Sequence, residues 1–431
     1  MSRINALSAD HASHRVYYGW FVVLAAALAM VGTLPGRSQG LGLITEPLIR
    51  DLRIDRVTYA TVNFWATIAG AAGAIGIGRA IDRFGARVVL SVVSLVLGLT
   101  VAAMSRVSSI ATLTVALAAT RAVGQGALSV VSIAVVGHWF TRRINSAMAI
   151  YSVLLSAGFM IAFPVVGILV QARGWRTTWL VVGASLVFVL APLSWAIVRR
   201  GPESIGLLPD GDTSTSREAQ LESDDLAGIR AADALRTGAF WVFAAGTALY
   251  GLVASGIGLF NESILAERGF NHDVYYQTLV VTAMTALAGN FIGGWLTSRL
   301  PLTRLMAIAL IVLAAGVAAM PILASLTAVM MWAAAMGLGG GIVMVLFFSV
   351  WPKAFGRLHL GQIQGVAQAL TVLASAVGPL LLAWCVEATG SYAAMFRILS
   401  AIIALVAVSC LAVSLPEPAG LRAREPEDLR T

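Results

Sequence analysis

Two arginines lie inside long apolar runs of the sequence, where a charged side chain is costly. Arg37 follows Pro35-Gly36 in the first apolar run, and Arg121 lies in a later run that extends to His138. A guanidinium near the middle of a membrane costs at least about 2.5 kcal/mol on insertion scales, so both side chains are expected to face the protein interior. Their planar forks match a carboxylate. Because these runs carry no Asp or Glu in their middle parts, the pair predicts a positive cavity that binds an anion.

The same residues also have structural interpretations, which the sequence leaves open. Arg37 near an outer interface would extend its head group to water, and Arg121 could instead tie its helix to carbonyls of a broken first helix. Other polar or aromatic residues of the apolar runs are candidate cavity walls, and packing explains each of them as well. The predicted substrate-binding residues are Arg37, Arg121, Gln39, Asn63, Tyr151, Tyr250, Asn290, Gln364 and Gln368.

The distribution of acids limits the transport chemistry that the sequence predicts. A proton relay inside a membrane normally uses an acidic residue at mid-depth, and here only Glu46 and His138 are weak candidates. Anion exchange or facilitated passage therefore fits as well as proton symport. The sequence has no metal-ligand cluster, nucleophile-elbow pattern or phosphate loop, so we expect no enzymatic activity, no bound metal and no cofactor.

The composition indicates what positions these residues. The chain of 431 residues is 58% hydrophobic and 12% charged, whereas soluble domains carry about 25% charged residues. An apolar run of roughly 20 residues spans a bilayer, and within lipid such runs must be helical. The runs predict twelve membrane helices, at about 18–43, 57–79, 88–106, 109–138, 144–171, 176–198, 238–265, 273–298, 303–323, 327–350, 360–386 and 391–414.

A hydrophilic segment between the second and third predicted helices carries a recognisable motif. Gly78–Arg87 matches the pattern G-x-x-x-D-R-x-G-x-R in full and resembles the signature loop of the major facilitator superfamily of transporters. Arg121–Gly126 is similar to an Arg-x-x-x-Gln-Gly element of the same superfamily. The resemblance implies an all-α integral membrane protein, with twelve transmembrane helices in two pseudo-symmetric six-helix bundles around a central cavity.

The resemblance also implies a gating role for this loop. The carboxylate of Asp82 would accept hydrogen bonds from a helix terminus or an arginine and so hold one of two alternating states. The alternative is that the loop arginines only set the topology of insertion. The predicted gating residues are Gly78, Asp82, Arg83, Gly85 and Arg87, with Arg299 in the equivalent loop of the second half.

The second half of the chain repeats the first at a nearly constant spacing. Matching pairs are Glu46 with Glu262, Gly78 with Gly294, Arg83 with Arg299, and Pro164 with Pro379. Repeats of this kind place a substrate site between the halves, near the membrane midplane. The predicted organisation is a cytoplasmic segment 1–17, bundles at 18–198 and 238–415, a polar linker at 199–237 and a tail at 416–431, with a short amphipathic helix considered near Leu226–Leu235.

The net charge of +8 does not indicate a nucleic-acid partner. Most of the 29 Lys and Arg residues fall in segments that lie on one side of the predicted helices, as the positive-inside rule describes. Both termini are therefore predicted to be cytoplasmic, in a plasma membrane that is the inner membrane of a bacterium. The first apolar run continues into a paired second half and predicts no cleaved signal peptide. The expected partners are the lipid bilayer and a small anionic substrate, and the protein is expected to be a monomer.

Two short segments bear on the substrate. Gly36–Gly40 before Glu46, and Gly361–Gly365, resemble the monocarboxylate and oxalate–formate branch of the superfamily, although the eighth predicted helix lacks the basic residue that both groups use. The sequence thus predicts a secondary transporter of a small organic anion, a carboxylate, that works by alternating access. Alternatives are an exporter of amphipathic compounds or drugs, suggested by Gly158–Gly167 with Pro164, and a non-transporting membrane sensor.

Overall fold

The computed structural model describes residues 17–72, 77–140, 143–207, 229–355 and 360–415. Regular structure in these ranges is helical, and ten apolar spans are long enough to cross a membrane. One of them, Ser146–Ile197, turns back at Gly174 and so contains two helices. Arg56–Ala72 with Ile77–Phe84 adds one more, so the described ranges contain the twelve predicted helices. They are α1 Gly19–Leu52, α2 Arg56–Ala72 with Ile77–Phe84, α3 Ala86–Met104, α4 Ile110–Trp139, α5 144–173, α6 175–197, α7 Gly238–Glu267, α8 His272–Leu296, α9 Leu302–Ile322, α10 Leu326–Phe355, α11 Leu360–Thr389 and α12 Ala393–Ala412.

The two halves turn the chain at matching residues. Gly174 between α5 and α6 has φ of 76°, and Gly390 between α11 and α12 has φ of 73°. After α1 the left-handed residue is Arg53, with φ of 52°, and after α7 it is Gly269, with φ of 81°. Positive φ is uncommon because a Cβ atom crowds the backbone there. Its recurrence at equivalent positions confirms that the halves are two copies of one six-helix bundle.

Equivalent acids also fasten the helix ends in each half. Asp51 at the end of α1 accepts a hydrogen bond of 2.8 Å from Nε of Arg176, at the start of α6. Glu267 at the end of α7 accepts one of 2.6 Å from the hydroxyl of Ser391, just before α12. Each bundle therefore closes its first helix onto its last helix in the same way.

One predicted boundary is wrong. The first helix was predicted to end near residue 43, but α1 continues to Leu52, after a 3-10 turn at Leu34–Gly36 and an extended Arg37. The additional turns remain helical because Glu46, which is buried, is paired with Arg56. The helix considered near Leu226–Leu235 is a single turn, Ala231–Ala234, and residues 208–228 lie outside the described residues.

The bundles meet through three helix pairs. The Ser38–Leu52 part of α1 packs on α7, α2 packs on α11, and α5 packs on α8. We call the side with the start of α1 and the end of α12 the terminal side, and the side with the α1–α2 and α7–α8 turns the opposite side. A Cβ atom on Gly42 would overlap the carbonyl oxygen of Gly258, and one on Gly167 would overlap the ring of Tyr276. These close approaches join the two bundles toward the opposite side.

Candidate functional site

Arg37 lies at the break in α1, where Pro35 and Gly36 form the 3-10 turn. Its Nε atom donates a 2.7 Å hydrogen bond to the hydroxyl of Thr33, and Nη2 lies 2.9 Å from the sulfur of Met30. The guanidinium carbon is 5.3 Å from the ring centre of Phe159 on α5, within the range of a cation–π contact. No described residue accepts a hydrogen bond from Nη1, and the side chain is only partly buried. Arg37 therefore keeps donor capacity for another group.

Arg121 is held in a different way. It is 1% exposed and begins a π-helical stretch, Arg121–Leu128, within α4. Its Nη2 and Nε atoms donate to the side-chain oxygen of Asn63 at 2.6 and 3.1 Å, Nη1 donates to Gln125 at 2.7 Å, and Nη2 also lies 3.2 Å from the hydroxyl of Ser38. The guanidinium thus joins α1, α2 and α4, and every one of its nitrogen atoms has a protein partner.

The two arginines give this region a positive charge. The described ion pairs of the chain lie toward the opposite side, and none of them includes Arg37 or Arg121. Buried cations are normally paired, because the cost of removing a charge from water is otherwise uncompensated. The uncompensated charge in this part of the structure favours an anionic occupant.

A hydrogen-bond chain links Arg121 to the second bundle. The hydroxyl of Ser38, a neighbour of Arg121, lies 3.0 Å from that of Ser255 on α7. Gln39, one of the predicted substrate-binding residues, packs next to Gly258 at the same helix crossing. The structure therefore places Gln39 at the contact between bundles, directly beside the arginine network.

The other predicted substrate-binding residues are distributed over both bundles. Tyr151 is buried, and its hydroxyl lies 2.8 Å from that of Ser132. In the second bundle, Tyr250 packs on Gly340, and Asn290 has a buried side-chain oxygen without a described partner. Gln364 is half-buried and Gln368 is exposed. In the described part of the chain, no hydrogen bond joins these five residues to the arginines, although Tyr151 interacts electrostatically with Arg37. Of the predicted substrate-binding residues, Asn63 is the one that is hydrogen-bonded to Arg121.

The predicted gating residues make contacts within their own bundles. Nε of Arg87 donates a 2.7 Å hydrogen bond to the carbonyl of Trp195, which ties the start of α3 to the end of α6. Gly85 has φ of 82° and lies against Arg200, Arg83 lies over the ring of Phe84, and Arg299 lies over that of Trp295. The surroundings of Gly78 and the side chain of Asp82 are outside the described part of the structure.

Several residues of the arginine network were not predicted as site residues. Thr33 lies one turn before Arg37, and Gln125 lies one turn after Arg121, so helical spacing was a usable signal for both. Phe159 and Ser255 are distant in sequence from the arginines that they approach, and no local pattern indicates them. Their positions depend on how α5 and α7 pack against α1.

Comparisons with known proteins support the same kind of molecule. The family model described as the Major Facilitator Superfamily matches residues 16–270 and 243–430. Monocarboxylate transporter 11 of Mus musculus is 28% identical over 403 residues, which are 90% of this chain and 85% of that protein. The protein of the same name in Homo sapiens is 25% identical over 90% of this chain and 81% of its own length. Monocarboxylate transporter 12 of Rattus norvegicus is 26% identical over 62% of this chain and 58% of its own length.

A solved structure shares the fold. It is a bacterial homolog to the human lysosomal transporter Spinster, in an inward-facing and unoccupied conformation, with a TM-score of 0.64 and 17% sequence identity. The match covers 92% of this chain and 94% of that chain. At this identity the likeness concerns the fold alone, and it agrees with the two six-helix bundles described above.

Proposed function

We propose that this chain, which belongs to the Major Facilitator Superfamily, moves a small organic anion across the membrane, and that the anion is a carboxylate. The family consists of transporters and not of enzymes. The single observation that carries the proposal is that Arg37, a partly buried residue, has an unused Nη1 donor and no acidic partner in the described part of the chain.

The two arginines have different roles in this proposal. Arg37 contacts the carboxylate, because charge-assisted hydrogen bonds to an anion are strong and its Nη1 end is available for one. Arg121 adds positive potential and holds the break in α1 in place through Ser38 and Asn63. A carboxylate that enters from water would replace its hydration with these donors. The names of the curated relatives, which are monocarboxylate transporters, support an organic anion.

The second bundle supplies a neutral polar wall in this proposal. Tyr250, Asn290, Gln364 and Gln368 carry no charge, and α8 has no Lys or Arg between its first residue and Leu296. One charged anchor and several neutral polar groups suit an anion with one carboxylate better than one with two. Phe159 beside the guanidinium offers an apolar surface to the organic part of such an anion.

We also propose that transport proceeds by alternating access, with the bundles rocking about the arginine site. The close contacts between Gly42 and Gly258 and between Gly167 and Tyr276 would form the closed side of one state. We propose that the terminal side lies in the cytoplasm, in a plasma membrane, and its excess of Lys and Arg supports this orientation by the positive-inside rule. The state described here would then face the cytoplasm.

Uptake into liposomes tests the proposed function. The purified protein is reconstituted, and uptake of radiolabelled lactate, formate, oxalate and a longer dicarboxylate is measured with and without a proton gradient and an internal counter-anion. We expect uptake of monocarboxylates by the native protein, at least a tenfold loss in Arg37→Gln, and partial uptake in Arg37→Lys, which keeps the charge but loses the fork. Arg397→Gln is the matched control, because it removes one positive charge from an exposed position.

The possible results separate the alternatives. Loss of uptake in Arg37→Gln but not in Arg397→Gln, at equal amounts of folded protein, would support anion binding at Arg37. Equal uptake by the native protein and Arg37→Gln would contradict it. If no anion is taken up under any gradient, export of amphipathic compounds becomes the better explanation, and the two arginines are then structural.

A further inference from the structure

Two buried acids occupy equivalent positions where the bundles meet on the opposite side. Glu46 of α1 is 7% exposed and Glu262 of α7 is 9% exposed, and the internal repeat aligns them with each other. Each lies one helical turn beyond the glycine of the α1–α7 crossing, Gly42 or Gly258. A carboxylate buried at such a crossing needs a compensating partner, because burial of an unpaired charge is strongly unfavourable.

The partners of the two acids are themselves equivalent, but they differ in chemistry. Both carboxylate oxygens of Glu46 accept hydrogen bonds of 2.8 Å from Nη2 of Arg56, the first residue of α2. A carboxylate oxygen of Glu262 lies 2.8 Å from Nδ1 of His272, the first residue of α8. The same ion-pair position therefore carries a permanent cation in the first bundle and an imidazole in the second.

Charged and titratable groups of α1, α2 and α8 interact with Glu262. From the first bundle, Glu46 and Arg50 of α1 and Arg56 of α2 interact with it electrostatically. From its own bundle, α8 contributes His272, Tyr275 and Tyr276, with Asp273 acting on Tyr276. Glu46 is already compensated by Arg56, so the charge balance of Glu262 depends mainly on Arg50 and on whether His272 carries a proton.

This difference makes one of the two pairs sensitive to pH. Arginine stays protonated in proteins, whereas an imidazole changes its charge between about pH 5 and 8. With the proton bound, Glu262 and His272 together are neutral, and the buried carboxylate is compensated. Without it, the buried carboxylate loses its hydrogen-bonded cation and depends on Arg50, which is exposed. The side chain of His272 is 54% exposed, so protons from the solution on the opposite side reach it directly.

We propose that Glu262 and His272 form a proton-binding site that stabilises the closed contact between the bundles on the opposite side. Acidity on that side would then favour the state in which that side is closed, and alkalinity would favour its opening. The inference rests on the proposed separation of the bundles during transport. It does not depend on the identity of the substrate.

A distance measurement across the opposite side tests this site. Ser108 lies in the α3–α4 turn, and Ala324 lies in the equivalent α9–α10 turn, both exposed. Cysteines introduced at both positions carry spin labels, and the two natural cysteines, Cys385 and Cys410, are buried. The label-to-label distance is recorded in lipid nanodiscs between pH 5.5 and 8 by pulsed electron paramagnetic resonance.

The native protein should show a short distance at low pH and a growing population at longer distance as the pH rises. A difference of one unit in proton affinity between the two states changes the ratio of closed to open molecules by about tenfold. The His272→Arg variant has the same kind of ion pair as Glu46 and Arg56 of the first bundle, so its opposite side should stay closed over the whole pH range. Arg56→His creates a second titratable pair, and its transition should be steeper than that of the native protein.

Three outcomes would overturn the proposal. A native distance distribution that does not change with pH would do so, and so would an unchanged pH response in His272→Arg. The third is a transition in Arg56→His that is no steeper than in the native protein, provided that this variant is folded. If the native distance responds to substrate but not to pH, the proton site is refuted while the proposed transport stands.

Discussion

The clearest prediction is that substitutions of Arg37 and Arg121 have different effects on the stability of the fold. We expect Arg121→Met to weaken the fold and Arg37→Gln to abolish uptake without weakening it. Methionine fills much of the volume of the arginine stem and adapts to irregular space, so the change removes the guanidinium with little loss of packing. Asn63, Gln125 and Ser38 then lose the donors that Arg121 provides.

The loss of the hydrogen bonds from Arg121 does not cost the same at each of the three acceptors. Gln125 is exposed and can bond to water, and Ser38 keeps its contact with Ser255. Asn63 is 0% exposed and loses both of the donors that reach its side-chain oxygen, at 2.6 and 3.1 Å. A buried acceptor left without a partner costs about 1–3 kcal/mol. The relief of a desolvated charge offsets part of the loss, so we expect a net destabilisation of about 1 kcal/mol.

Thiol reactivity offers a direct assay. Cys385 and Cys410 are both buried, so a dye that fluoresces on reaction with thiols reports unfolding as the purified protein is heated. Arg121→Met should react at a lower temperature than the native protein, and Arg37→Gln at the same temperature. The double variant Asn63→Leu with Arg121→Met should recover part of the loss, because no acceptor is then left unpaired.

A specific result would refute this division of roles. If Arg121→Met unfolds at the native temperature and yet takes up no anion, Arg121 contacts the substrate and is not mainly structural. If the double variant recovers thermal stability but not uptake, Arg121 both stabilises the fold and contacts the substrate. Lower stability in Arg37→Gln would show that Arg37 stabilises the fold through its contacts with Thr33 and Met30.

Two further predictions concern movement between states. Gly42→Leu should prevent the approach to Gly258, lengthen the distance between labels on the opposite side and lower uptake at least tenfold. The control Gly137→Leu should have little effect, because no atom lies within 4 Å of its added Cβ. A native-like label distance in Gly42→Leu would contradict the assigned closure. Asp82→Asn should slow initial uptake while the amount of folded protein stays the same, and unchanged rates at equal expression would argue against a latch at Asp82.

The sequence alone predicted the helices well, because the signal for a membrane helix is local and strong. A run of apolar residues has no other stable structure in lipid, so the count and the approximate ends of the helices agree with the structure. The loop turning points also have local signals, such as Gly174 and Gly390. The end of α1 was missed because its charged last turns, which contain Glu46, look like a loop until the pairing of Glu46 with Arg56 is known.

The contacts of the predicted site were much harder to foresee. Asn63 and Arg121 meet because α2 packs beside α4, and Ser38 and Ser255 meet because α1 crosses α7. Such pairs have no fixed spacing in the chain, so helical periodicity does not reveal them. The burial of the two arginines could not be predicted either, because both lie in similar apolar runs. In the structure, Arg37 is partly buried, whereas Arg121 is fully buried and all its nitrogen atoms are hydrogen-bonded.

The internal repeat distinguishes packing residues, which are matched in both bundles, from the proposed anion-binding residue Arg37, which is not. Gly42 is matched by Gly258 at the crossing, as Asp51 is matched by Glu267 at the helix ends. Arg37 has no such counterpart, because the position that aligns with it in α7 is Val253, which is buried in the core.

The packing and helix-end residues are thus matched in both bundles, whereas the arginine at the break in α1 has no match in α7. In the proposed transport, an anion with a single carboxylate needs one cationic partner, and a second positive charge beside it would slow its release.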